Sequence, residues 1–572
     1  MCYNSNTMSD DQFNEEKQII ELEELRQKEE EGLVAMLAES KYHLPYVDLT
    51  HLGVDNEALR AISEKEAREL KIAPFKLSGK KIFVAVRSPK EELLARIKDD
   101  MERKGFIAVF YMVSLASLEK VWGRYEELSM AESEHSGTLE ISGDILSQTA
   151  EKISKMQDIE NLVKELTEKN QVHKVSRILE IILAGAIKIG ASDVHIEPEK
   201  DRGRVRLRLD GVLQDILFFE LDLYHLLNSR IKLLSGVKLS TKIAQDGRFS
   251  IMEGDSEISI RTSLIPGAYG ESIVMRILDP KSIRVKMEEL GIEPFLFSII
   301  EEEIKKPNGM ILVTGPTGSG KTTTLYAFLN RIYSTEVKII TIEDPIEYHL
   351  TGITQTQTDQ KYTFAGGLRS ALRQDPDIVM VGEIRDGETA KIAVESALTG
   401  HMVFSTLHTN NAAGVIPRLI DLDVNPKIMV SALSLSLAQR LVRKLCPFCK
   451  KEGEINEKEK KIIDTILESI KTEEKELSKY NIDLSAPFKV FEPVGCDKCN
   501  MTGYKGRIGI FEAIKTDEAI EKIITENPSE REIKKVARTQ GILSMRQDGL
   551  VKVLNGITSI EEVGSVVDLL EE

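Results

Sequence analysis

Cysteine is scarce in this sequence, with five residues in a chain of 572. That excludes the disulfide-stapled class, which crowds its cysteines into short secreted domains. Long apolar runs are missing as well. No stretch reaches the roughly 18 residues of a membrane-spanning helix, so none is expected. Met1–Asp11 has no basic stretch leading into an apolar core, so no secretory signal is expected. Positive charge is in deficit: 76 Lys and Arg against 93 Asp and Glu give a formal charge of −17. A general nucleic-acid binder carries the opposite excess, and no stretch interleaves aromatic and basic side chains as a single-strand groove does. Together these absences point to a soluble cytoplasmic protein, with local basic patches still allowed.

What is present is organised around one stretch, Gly315-Pro316-Thr317-Gly318-Ser319-Gly320-Lys321-Thr322. It fits G-x-x-x-x-G-K-[ST], behind an apolar run (Met310–Val313) and ahead of a helix-compatible run (Thr323–Ile332). Strand, glycine loop and helix are the context a phosphate-binding loop requires. The glycines let successive N–H groups turn inward around phosphate oxygens, and the helix presents its positive end to the same anion. Lys321 is the residue to reach the β- and γ-phosphates, and Thr322 the one to hold Mg²⁺; Thr323 closes the binding stretch. A chance glycine-rich turn is the bland alternative, and the correct flanks weigh against it.

Three more apolar runs end in polar residues: Val337–Ile342 at Glu343-Asp344-Pro345-Ile346-Glu347, Ile378–Val381 at Gly382-Glu383-Ile384-Arg385-Asp386, and Met402–Leu407 at His408-Thr409-Asn410. In an open α/β sheet, ligands bind beyond the carboxyl ends of the strands, so these ends should converge with the phosphate loop. Phosphoryl transfer needs a carboxylate to orient the attacking water. Glu343 is the first choice and Glu347 the alternative. Glu383 stands where an acid associated with Mg²⁺ is expected, although Gly382 occupies the place where many such ATPases have Asp. The ion is then held through water to Glu383, or by Asp344. His408 is placed to sense the γ-phosphate; a helix-cap or core histidine is its structural alternative.

The remaining cysteine signal is Cys446-Pro-Phe-Cys449 with Cys496-Asp-Lys-Cys499. Two C-x-x-C knuckles supply four thiolates, which suits closed tetrahedral zinc of structural type; redox thiols are the alternative. The insert Lys450–Gly495 is expected to fold away from the cysteine site, with a helical, exposed Glu/Lys-rich middle.

Along the chain, residues 1–43 form an acidic helical or disordered tail, 44–125 a small α/β domain with strands at 81–86 and 106–113 around a helix at 90–104, and 126–171 a flexible linker in which 144–166 is compatible with a short helix. Residues 172–284 follow as a strand-rich domain with a hairpin turn at Asp210-Gly211. Its strands carry Arg206, Arg208, Arg248, Arg261 and Arg276, which either line the exposed face of a half-buried sheet or face an anion held nearby. Residues 285–572 alternate strand and helix as in a mostly parallel sheet, with a cysteine-bearing subdomain at 441–512. The fold class is α/β multidomain.

These motifs resemble those of the secretion ATPases that drive type II secretion and type IV pilus assembly, in the branch with the tetracysteine element. The resemblance covers residue 44 to the end. It is carried by Ala191-Ser-Asp-Val-His-Ile-Glu-Pro198, Gln245-Asp-Gly-Arg248, the phosphate loop, Ile342-Glu-Asp-Pro-Ile-Glu347, Leu372-Arg-Gln-Asp-Pro-Asp377 with Gly382-Glu-Ile-Arg-Asp386, Ser405-Thr-Leu-His-Thr409 and the cysteine pairs. It implies a RecA-like ATPase domain, a PAS-like middle domain and an N-terminal adaptor. It also implies ATP bound between the two main domains, and middle-domain arginines reaching its phosphates. Arg248, Arg261 and Arg276 lie in matching segments, Arg261 and Arg276 being the first choices. Further implications are a homo-hexamer, an inner-membrane platform protein that adds pilin subunits, a membrane-anchored docking partner, and a place at the cytoplasmic face of the inner membrane. Some relatives bind cyclic di-GMP in the adaptor through a repeated Arg-Leu-Gly-type motif, which residues 44–125 lack. A retraction motor fits less well, because that branch resembles only the two C-terminal domains. Two rivals remain: a nucleotide-binding ring scaffold without turnover, and a DNA-translocating relative.

Overall fold

The computed structural model describes residues 30–49, 54–59, 61–132, 138–139, 149, 151–168, 174–239, 243–253, 256–280, 285–475, 480 and 488–570. The chain divides into two compact units between Thr138 and Leu139.

In the first unit, Lys81–Val86 pairs antiparallel with Ile72–Ser78 and parallel with Ile107–Met112. A parallel pair needs a crossover, and the helix Glu91–Arg103 provides it. The helix Leu115–Glu132 packs behind the sheet: the Trp122 indole donates to Ile72 O at 2.9 Å, and the Tyr125 hydroxyl to Ile62 O at 3.0 Å. Both expected edges of this domain shift. Helical residues 30–37 belong to it, because Val34 and Ala38, one turn apart, are buried in its core. At the other edge, Leu115–Glu132 runs past the expected boundary at 125. The rest of the acidic tail lies outside the described residues.

In the second unit, six antiparallel strands run in the order Gln245–Glu253, Ser256–Pro266, Glu271–Leu278, Asp193–Pro198, Gly203–Leu209, Val212–Phe219. Strict alternation places Val205, Leu207 and Leu209 in the core and sends Arg204, Arg206 and Arg208 to the other face. Asp210 (φ 49°) and Gly211 (φ 91°) make the hairpin turn.

Part of the expected linker is folded here. The helix Met156–Glu168 buries Ile159 and Val163, with Ile153, against the helix Lys174–Lys188. The approach is so close that a Cβ on Gly185 would meet Ile159 Cδ1 at 2.5 Å. The helix reads as polar because only one narrow stripe of it is apolar.

The remaining seven-stranded sheet has the order Thr354–Gln357, Ile339–Glu343, Ile378–Val381, Met402–Leu407, Gly309–Thr314, Leu433–Leu445, Tyr504–Lys515. All neighbours are parallel except the last pair. Strands 309–314, 339–343, 378–381 and 402–407 are buried throughout, as expected with helices on both faces. The cysteine segment is an insertion between the two final strands, so residues 441–445 and 504–512 belong to the sheet itself. The middle of the insert is helical, as expected, but not simply exposed: the helix Glu457–Thr472 buries Ile462, Ile463, Ile466, Leu467 and Ile470 in the main core.

Ile159→Ala should destabilise the second unit by about 2–4 kcal/mol, the cost of a core deletion. A linker residue would change the urea midpoint by no more than about 0.5 kcal/mol equivalent.

Candidate active site and metal centre

Three strand ends and the phosphate loop border one cleft of about 650 Å³. The loop is braced from the next strand. Gly315 (φ 146°) and Gly320 (φ 90°) hold conformations that side chains resist, and a Cβ on either would strike Gln439, at 2.5 Å from its carbonyl and 2.8 Å from its amide nitrogen. Gln439 Oε1 accepts from Thr324 Oγ1 at 2.7 Å. Lys321 Nζ donates to the Gly315 and Pro316 carbonyls at 2.8 and 3.2 Å. Burial lowers the pKa of this ammonium, against the pull of Glu383.

Glu343 lies at the mouth of its strand, 3% exposed. Its Oε1 accepts from Thr341 Oγ1 at 2.5 Å and Gln355 Nε2 at 3.0 Å, and its Oε2 from the Tyr326 hydroxyl. Burial raises its pKa above the usual carboxylate range even though these donors oppose the shift.

The next strand end carries Glu383, which pairs with Arg385 and lies 3.4 Å from His408 Nε2; Arg385 Nη1 is 3.7 Å from Asp344. Thr406 Oγ1 donates to Gly382 O at 2.7 Å and pins the turn. A Cβ on Gly382 would come within 3.2 Å of Ile342 O, tighter than most such contacts. His408 is exposed, whereas His401 Nδ1 sits 3.1 Å from Ser396 O in a structural contact.

Of the middle-domain arginines, Arg276 borders this cleft and Arg261 reaches its wall through Glu347. Arg276 pairs with Asp193 at 3.0 Å. Arg261 pairs with Glu347 at 2.9 Å and donates to Ile346 O at 2.6 Å. Arg248 is the cross-strand neighbour of Arg261 but is exposed and does not border the cleft. Thr317, Gly318, Gly320, Lys321, Thr322, Thr323, Glu343, Asp344, Glu347, Glu383 and His408 all border it. Sequence reasoning assigned no role to Tyr326, Thr341, Gln355, Gln439, Arg385 or Arg507, and Arg385 and Arg507 border the same cleft. Arg385 lies inside a quoted motif; the others carry no local signal.

The ligand atoms of Cys446, Cys449, Cys496 and Cys499 lie within 4.8 Å of one another. The Cys446–Cys496, Cys449–Cys499 and Cys496–Cys499 sulfur separations are 3.9, 3.8 and 3.8 Å. A tetrahedron with metal–sulfur bonds of about 2.3 Å has edges of about 3.8 Å, so the donor set fits zinc with no open position. Burial opposes ionisation of Cys499, but the N–H groups of Cys496 and Gly503 outweigh it and bring the thiol down to about 7.

Fold and cleft define a P-loop ATPase with a second domain at the mouth of its nucleotide site. A family model described as "Type II/IV secretion system protein" matches residues 168–565, and one described as "MshEN domain" matches residues 42–131. Type II secretion system protein E of Pseudomonas aeruginosa is 45% identical over 402 residues, 70% of this chain and 76% of that protein. Type IV pilus assembly ATPase PilB of Myxococcus xanthus is 35% identical over 538 residues, 93% of this chain and 91% of that protein. The ATPase DotB of Yersinia pseudotuberculosis shares the fold, with a TM-score of 0.50 and 20% identity over 70% of this chain and 97% of that one. The chain belongs to the type II/IV secretion system protein family and is an ATPase that uses ATP and Mg²⁺.

Purified protein should contain about one zinc per chain by elemental analysis, and Cys449→Ser or Cys499→Ser should lose it. Protein free of zinc and of any other metal would remove the assignment.

Proposed function

We propose that this chain is an ATP-hydrolysing hexameric motor that powers assembly of type IV pili at the inner membrane. The observation that carries the motor reading is the bond from Arg261 of the middle domain to Glu347, four residues past Glu343. It supports a reading in which the second domain's charge lies beside the chemistry, where nucleotide turnover can move one domain against the other. The span of similarity supports the pilus arm, since the PilB relative aligns over 93% of the chain. A second reading, pseudopilus assembly in type II secretion, is supported by the 45% identity to the secretion ATPase.

ATP is the substrate. Its phosphates meet the loop N–H groups and the N-terminus of the helix Lys321–Ile332. Lys321 exchanges two loop carbonyls for phosphate oxygens. Thr322 and Glu383 would hold Mg²⁺, which when bound neutralises phosphate charge. Glu343 orients the attacking water and takes its proton. Arg261 and Arg276, released from Glu347 and Asp193, balance the charge that develops on the transferred group. His408, beside Glu383, responds to the γ-phosphate. Arg248 is left for the neighbouring copy in the ring. Residues 44–125 dock on a membrane-anchored partner, the ring turns an inner-membrane platform protein, and the chain works at the cytoplasmic face. None of the described helices is long and apolar enough to cross a membrane.

Lys321→Ala should abolish ATP hydrolysis; unchanged turnover would sink the site. Glu343→Gln should keep ATP binding and lower kcat by about 10²- to 10⁴-fold; wild-type turnover would transfer the base role to Glu347. Because burial raises the Glu343 pKa, kcat should fall on acidification while the pH is still above the ordinary carboxylate value of about 4.3. A flat kcat down to that value would contradict the role. Deleting the gene should remove surface pili; loss of extracellular enzymes with pili retained would favour the secretion arm.

A further inference from the structure

Tyr326 is fully buried on the helix that begins at Lys321, and its hydroxyl donates to Glu343 Oε2. Packing alone does not call for that hydroxyl. The ring is held edge-on by Tyr348, with centroids 4.6 Å apart at 78°, a contact a phenylalanine would also make. Gln355, on the edge strand Thr354–Gln357, orients the opposite oxygen. Its Nε2 donates to Glu343 Oε1 at 3.0 Å and to Tyr348 O at 3.1 Å, while its Oε1 accepts from Leu350 N at 2.7 Å. The carboxylate is therefore fixed at both oxygens, and Tyr326 is its link to the helix carrying Lys321 and Thr322.

We propose that Tyr326 is a positioning residue for Glu343, tying the base to the phosphate-loop helix so that base and bound phosphates keep one geometry. This rests on the reading of Glu343 as the base. Tyr326 touches neither water nor nucleotide in this role; it acts through the carboxylate. A hydrogen bond to the ionised form also favours that form. Removing the hydroxyl should therefore leave Glu343 harder to ionise. The titratable groups facing Glu343 are Tyr326, Tyr348 and Glu347, the last paired with Arg261.

The test is Tyr326→Phe in the full-length protein, measured as kcat and KM for ATP across pH. The expected result is a kcat lower by about 10- to 100-fold, the usual cost of a misplaced catalytic group. KM should be unchanged and the acid limb of the kcat profile displaced to higher pH. In the double variant Y326F/E343Q, Y326F should add no loss beyond that of E343Q. An unmoved acid limb, or an equal additional loss in the E343Q background, would overturn the proposal and leave Tyr326 a packing residue. Wild-type turnover by E343Q alone would instead remove the base reading on which it rests. Should Y326F melt well below the wild type, the profile measured below its own melting temperature carries the test: an acid limb unmoved there overturns the proposal.

Discussion

A parallel sheet sends the carboxyl ends of its strands to one edge, and the chemistry of this chain depends on that constraint. The phosphate-loop strand is not next to either acid strand. The strand Met402–Leu407 lies between, so the order across the sheet reads Glu343, Glu383, His408, phosphate loop. Short polar bonds fix the heights of these ends. Thr314 Oγ1 donates to Leu407 O at 3.0 Å and accepts from Thr409 N at 2.8 Å, while Ser405 Oγ reaches Val381 O at 2.7 Å. Buried hydroxyls with no water to turn to make such ties specific.

The middle domain is attached to this platform at more than its arginines. Near the cysteine knuckles, Met156 N donates to Asn500 Oδ1 at 3.1 Å, Lys155 pairs with Asp497 at 3.5 Å, and Gly506 N donates to Asp210 Oδ2 at 2.9 Å. Asp497, Cys499 and Asn500 share one short turn, so a metal that locks the cysteines also locks the surface on which the middle domain rests. Arg507, adjoining Gly506, borders the nucleotide cleft. Metal site, domain contact and cleft thus follow one another along a few residues.

Much of this was legible in the sequence because it is written in local patterns. Apolar runs ending in acid, histidine or glycine loop mark strand ends, and the two cysteine pairs mark a metal. The parallel sheet, the hairpin at Asp210-Gly211 and the arginine-bearing strands follow from periods and turn residues alone. What escaped depends on partners distant in sequence. Ile159 looks like any residue of a polar helix until it meets Gly185. The insert helix looks exposed because its charges are exposed, yet its isoleucines are buried. Tyr326 and Gln355 have no signal of their own, since a tyrosine on an apolar helix and a glutamine on an edge strand are commonplace; their meaning lies in sharing one carboxylate.

The bond between Arg261 and Glu347 has a consequence for timing. Burial is the main cause that raises the proton affinity of Glu343, repulsion by Glu347 adds to it, and Arg261 is paired with Glu347. In the proposed mechanism, Arg261 would exchange Glu347 for a phosphate oxygen; Glu347 would then keep its negative charge without that counter-ion, and Glu343 would become the stronger base. On that proposal the substrate would arm the base that activates the attacking water, and an empty site would leave that base weaker. Such a coupling would tie proton affinity to domain closure, so that water would be activated only once the two domains had come together around ATP.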